Sequence, residues 1–211
     1  MRGLLLKDFY NLLKLLKQYL IIFTGMTIWA YFMKSPILVG FYAIFINASL
    51  ILSSFSYDEY ARFDKYVLTM PVSREMLVRE KYVLLLILMG SSTVLGISLA
   101  GILNRMVGDE VFREIAVALL AIVCLFCISY SIVFPKIFQS GVEKARIQLV
   151  IVYLGNCVVA YGGMKAAAEL NLIAKMMDSV WLISCLMVLL AIAGMVVSYV
   201  FSLKVIRKKE W

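Results

Sequence analysis

Apolar residues run in six long blocks, about Tyr19–Met33, Ile37–Phe55, Tyr82–Leu103, Ile115–Phe134, Ile147–Met164 and Val180–Leu203, with shorter polar stretches between them. Blocks close to the ~20 residues that carry a helix through a hydrocarbon core predict six transmembrane helices. The first block would rise only about 22 Å, so Leu15 and Leu16 belong to it and Lys17 snorkels to the interface. Ahead of it, Lys7, Asn11, Lys14 and Gln18 recur at helical spacing, while Leu5, Leu6, Phe9, Leu12, Leu13 and Leu16 fill the remaining surface. That pattern predicts an amphipathic helix over residues 1–18, lying in the interface with its polar stripe in water. No Ala-x-Ala-like site follows this charged region, so it reads as a retained segment and not a cleaved signal peptide.

Composition agrees. Hydrophobic residues make up 64% of the chain and the mean hydropathy is +0.95, well above the roughly 45–50% apolar content of a soluble domain. The chain therefore reads as an all-α membrane protein, a single domain over 1–211. Lys and Arg give the orientation, because cytoplasmic segments hold the excess. Four lie in the N-terminal segment, five in 57–81, three in 135–146 and four at the C-terminus, against five in the alternate connections (Lys34, Arg105, Arg113, Lys165 and Lys175). Both termini and the 57–81 stretch are expected on the cytoplasmic side. The net charge of +8 then matches anionic lipid headgroups and not nucleic acid. All four cysteines fall inside predicted spans, where Cys124 and Cys127 read as small packing residues.

Several chemistries have little to work with. The chain has no His, and no Asp or Glu cluster falls within a predicted span, which disfavours ion-coupled transport and metal ligation. Asn47 and Asn156 are the carboxamides well inside the spans, and interhelical hydrogen bonds account for them. The stretch Gly96 to Gly101 spaces its glycines like a phosphate loop but continues Ile102-Leu103 where Lys and Ser or Thr are required. Asp58-Glu59 lacks the companion carboxylates of a metal-dependent phosphotransferase. The chain is not expected to be an enzyme, nor to bind a cofactor itself.

The segment Tyr57 to Lys81 carries ten of the thirty-four charged residues. Tyr57–Leu68 reads as an amphipathic helix, with Glu59, Arg62 and Lys65 at triplet spacing. Pro71 ends it, and Ser73 suits an N-cap for the next helix, with Glu75 in its first turn. Two readings stand here: a lever that passes a partner's push into the bundle, and a solvated loop marking the cytoplasmic side. On the far side, the 165–179 connection has apolar residues at helical spacing and reads as a short helix on the outer leaflet. Ser92-Gly96-Ala100 and Gly194-Ser198-Ser202 place small residues at intervals of four, where helices approach closely within one subunit or between two.

The opening MRGLLLKDFYNLLK, the run from Asp58 to Arg74 and the FPKIFQSGVEKARI segment from Phe134 to Ile147 resemble the ABC-2 type permease family, the membrane subunits of ATP-binding-cassette exporters. Phe63, where Trp is expected, and Met70, where Leu is expected before the proline, depart from the pattern but stay apolar. The resemblance implies a coupling helix between spans two and three that docks on a separate ATPase subunit through Asp58, Glu59, Arg62, Phe63, Asp64, Lys65, Tyr66, Pro71, Ser73 and Arg74. It implies two permease chains, identical or related, with two ATPase subunits that hold ATP and Mg, in a cell membrane of bacterial plasma-membrane type. It places Asn47, Tyr153, Asn156 and Tyr161 near the pathway, and the outer 165–179 segment as a gate. A pathway rich in Met, Phe, Tyr and Leu suits an amphipathic or hydrophobic cargo, with a slight preference for peptide. The alternative is a membrane scaffold or sensor that binds a cytoplasmic partner through 57–81 without transport.

Overall fold

The computed structural model describes residues 2–63, 67, 73–107, 111–169 and 180–208, leaving aside the side chains of 2, 74, 159–164, 166–169, 180–183 and 208. Its elements are α1 (Arg2–Phe32), α2 (Pro36–Tyr60), α3 (Arg74–Val107), α4 (Phe112–Ser140), α5 (Val142–Glu169) and α6 (Val180–Lys208), and no strand occurs among the described residues. Five of them, all but α5, are long and apolar enough to cross a membrane. At 28 residues α5 is of similar length and covers the fifth apolar block, but apart from Lys165 its described side chains stop at Val158.

Three expected boundaries differ. The interfacial helix over 1–18 and the first span are one unbroken helix of 31 residues, because no Gly, Pro or capping residue interrupts the chain near Tyr19. The expected polar stripe holds in part: Lys14 and Gln18 are exposed, but Lys7 and Asn11 are half-buried. Leu5, Asp8, Leu12, Leu15 and Tyr19 face the bundle, and Leu6, Phe9, Tyr10, Leu13 and Leu20 point outward. The expected loop over 135–146 is also mostly helix. Helix α4 runs through Pro135 to Ser140, and a single residue, Gly141 with φ 86°, separates it from α5, a backbone region open chiefly to glycine. Residues 165–169 of the expected outer segment continue α5, and 170–179 lie outside the described residues.

Helix α2 packs most extensively on α3 and α4 on α6, with α4 also touching α2, α3 and α5, while α1 lies against α2 and α3. The core gathers Ile44, Ile51 and Phe55 of α2, Leu85 and Met89 of α3, Leu119, Tyr130 and Phe134 of α4, and Ile206 of α6. Phe134 receives Phe55 and Tyr82 edge-on, at 5.1 and 4.9 Å between ring centres, the arrangement that aromatic quadrupoles prefer.

The small-residue stripes serve contacts within the chain. A Cβ on Gly96 would stand 3.2 Å from the Gly40 carbonyl oxygen, so α2 and α3 approach backbone to backbone there. Ser198 and Ser202 of α6 meet the Tyr82 hydroxyl at 2.6 and 2.9 Å. Hydrogen bonds of this kind between membrane helices contribute about 0.6 kcal/mol on average.

Candidate functional site

Contacts between elements bring the beginnings of α1, α3 and α5 together with the ends of α2, α4 and α6. The four Lys- and Arg-rich segments grouped by the charge count therefore sit at one end of the bundle. Here α1 presents Lys7 and Asp8, α2 presents Ser54 and Asp58 one turn apart, and α3 presents Glu80 and Lys81. Lys81 Nζ lies 2.5 Å from both Asp8 Oδ2 and Asp58 Oδ2 and donates to Ser54 Oγ at 2.7 Å. Ser54 Oγ in turn donates a hydrogen bond to Asp8 Oδ2 at 2.8 Å. From the other side Lys7 Nζ reaches Asp58 Oδ1 at 2.5 Å and Asp8 Oδ1 at 3.1 Å.

Asp8, Ser54, Asp58, Glu80 and Lys81 are all buried. Taking each charge from water costs several kcal/mol, and only close pairing with hydrogen bonds offsets it. The knot supplies both, and it ties three helices through groups that none of them can satisfy alone.

The knot lies directly behind the charged stretch. Helix α2 carries on to Tyr60 and stops where Ala61 caps it and Arg62 takes φ 47°, a left-handed turn. The expected single helix over Tyr57–Leu68 is therefore corrected: its first turn is the end of the second span, and helical backbone resumes at Phe63. Asp58 is turned inward to the two lysines. Glu59 reaches across to the α4–α5 turn, where its Oε2 accepts the Val142 amide at 2.7 Å and so occupies the positive start of α5.

Phe63 lies under Lys7, whose Nζ stands 3.5 Å from the ring centre. Tyr60 is 92% exposed, and Arg62 is exposed as well. Ser73 is the N-cap that the spacing predicts, its Oγ accepting the Met76 amide at 3.3 Å. Arg74 opens α3, with Glu75 in its first turn paired to Arg207 of α6. Asp64, Lys65, Tyr66 and Pro71, along with the Arg74 side chain, lie outside the described residues.

A cavity of about 160 Å³ opens beside the knot, lined by Phe55, Asp58, Glu59, Phe63, Glu80 and Lys81 together with Ile137 and Gly141. A wider groove of about 510 Å³ runs between α1, α2 and α5 past Tyr19, Tyr57, Tyr60 and Arg146. Arg146 bridges it by donating to Ser56 Oγ at 2.7 Å.

The expected pathway residues fall into two groups. Asn47 spends its amide on its own helix, donating to the Ala43 carbonyl at 3.0 Å. Asn156 of α5 donates to Ser129 Oγ of α4 at 2.8 Å, and one turn earlier Tyr153 meets Phe126 edge-on at 5.2 Å. The Tyr161 side chain lies outside the described residues. The glycines at 96 and 101 sit in the interior of α3.

Residues 3–207 match the family described as ABC-2 family transporter protein. The chain belongs to that family. No curated protein and no solved structure gives a match. Membership over nearly the whole length makes this ABC-2 chain a multi-pass membrane protein with a permease role, a transport component of a family that works with an ABC ATPase partner. Within the ABC-2 chain, the charged knot went unread at the sequence level. Asp8 stands some fifty residues before Asp58, and Asp58, Glu80 and Lys81, although all within 57–81, read there as part of one solvated charged stretch, so nothing in the spacing showed that they meet Asp8. The available signal was the lone acid Asp8 on the bundle side of an otherwise apolar and basic helix.

Proposed function

We propose that this chain is the permease subunit of an exporter that moves an amphipathic or hydrophobic substrate outward, a peptide in preference, driven by ATP hydrolysis on a separate subunit. What carries this reading is the position of the charged knot: it fastens α1, α2 and α3 to one another immediately behind the stretch 57–74. A push on that stretch is then delivered to three helices at once.

In this reading six spans cross the membrane, both termini are cytoplasmic, and the end with the knot faces the cytoplasm of a bacterial cell. The partner touches Tyr60, Arg62, Phe63 and the 64–74 segment, while Asp58 and Glu59 brace that surface from within. Two permease chains, identical or related, pair with two ATPase subunits that carry ATP and Mg. Tyr153 and Asn156 of α5, with Asn47 and Tyr161, stand near the route of the cargo, and the 165–179 segment gates its outer end.

Gentle solubilisation of native membranes tests the proposal. The chain should bring down a soluble protein with a GxxxxGK[ST] loop, and the purified complex should hydrolyse ATP. Recovery of this chain without such a protein would favour a scaffold or sensor.

A further inference from the structure

Glu80 is the carboxyl group that the two ammonium groups leave over. Lys81 holds Asp8 and Asp58, and Lys7 holds the same two acids from the other side, whereas Glu80 Oε2 stands 3.9 Å from Lys81 Nζ. Glu80 is 1% exposed, and its Oε1 has no hydrogen-bond partner among the described residues. Neither has Asp8 Oδ1, which takes only the ion-pair contact from Lys7.

The Asp8 and Glu80 carboxyls meet around one ammonium group, Lys81 Nζ lying 2.5 Å from Asp8 Oδ2 and 3.9 Å from Glu80 Oε2, and each leaves one buried oxygen without a hydrogen-bond partner among the described residues. Ionised, both are acceptors only, and they satisfy one another only with a proton between them. The charge count asks for the same proton, since the buried Asp8, Asp58 and Glu80 face two lysines, one buried and one half-buried. The charged groups turned toward Glu80 are Lys7 and Asp8 from α1, Asp58 and Glu59 from α2, and Lys81 from α3. Helices α4 and α6 present Ile137 and Ile206 there. Glu59 is committed to Val142, and Arg207 to Glu75.

We propose that Glu80 and Asp8 form a proton-binding site, with one proton shared between the two carboxyls, that fastens the start of α1 to the start of α3. With the proton bound, two carboxylates balance two ammonium groups and the neutral acid donates the remaining hydrogen bond. Without it, three carboxylates share two cations, and the Glu80–Asp8 contact turns from attraction to repulsion, weakening the hold of α3 on α1 that Lys81 maintains. The site stands independently of any transport role.

Infrared spectroscopy of the purified full-length chain in detergent tests it. At neutral pH the spectrum should show the carbonyl band of a buried protonated carboxylic acid, which disappears on alkaline titration. Glu80→Gln should lack the band, because the Gln amide donates to Asp8 in place of the acid. Asp8→Asn should lack it as well, because Asp58 and an ionised Glu80 then balance Lys7 and Lys81. A wild-type spectrum without the band, or a band that survives Glu80→Gln, overturns the proposal.

Thermal unfolding gives a second readout. The folded chain holds a proton that the unfolded chain releases above the ordinary glutamate value near 4.3. Wild-type stability should therefore fall, relative to Glu80→Gln, as pH rises from about 5 toward neutrality, with the unfolding constant growing by up to about tenfold per pH unit. Parallel profiles for the two proteins would overturn the shared proton.

Discussion

Lys81 shows how much a single side chain can hold in a membrane bundle. Its ammonium group binds Asp8, Asp58 and Ser54 together, so Lys81→Met leaves two carboxylates buried with only Lys7 between them. Removing one partner of a buried pair typically costs about 3–5 kcal/mol, and a fall in the melting temperature of the solubilised chain should report it. Adding Asp8→Asn and Asp58→Asn to that variant should recover much of the loss, since it removes the two carboxylates that Lys81 no longer neutralises. If instead the triple variant melts lower still, the knot stabilises by more than charge balance. Glu59 offers a smaller and more local case. Glu59→Gln should cost about 0.5–2 kcal/mol, the range for losing a helix N-cap, and it should speed hydrogen exchange at the Val142 amide while leaving α3 unaffected.

Among the elements, the break at Ala61–Arg62 separates what belongs to the second span from what is free to meet a partner. Phe63 begins the second part and rests under Lys7. Replacing Phe63 and Tyr66 by Ala should uncouple ATP hydrolysis from transport or release the ATPase, with the bundle still folded by circular dichroism. Transport and ATPase association at wild-type levels would remove the coupling role from this segment. Periodicity made much of this level legible. The apolar blocks located all six helices, and Ser73 marked the start of α3 by its capping chemistry.

The failures at the same level have physical causes. Helices outlast the apolar blocks because water-facing ends remain helical wherever no Gly or Pro stops them, so α1 absorbs residues 2–18 and α2 runs on to Tyr60. Even Pro135 does not end α4, since membrane helices tolerate proline when neighbours satisfy the freed carbonyl. The inward turn of Lys7 and Asp8 was hidden because spacing alone does not say which face of a helix meets its neighbours, and the partners Asp58 and Lys81 that draw them inward are distant in sequence.

For the molecule as a whole, the grouping of charged segments at one end was legible from counting Lys and Arg, and the family match over 3–207 agrees with the resemblance carried by the opening segment, the 58–74 run and the 134–147 run. What those patterns left out was the wiring between distant ends, because pairs such as Lys7 with Asp58 or Glu59 with Val142 are set by packing and not by local sequence. The one-residue joint at Gly141 limits how this wiring can move. Successive Cα atoms are 3.8 Å apart, so α4 and α5 have almost no slack with which to slide past each other, and their remaining relative freedom is angular. The two helices therefore behave like the arms of a pair of compasses, pivoting at the end with the knot. A small change of angle there, with Glu59 gripping the pivot, becomes a wide sweep at the opposite end of α5.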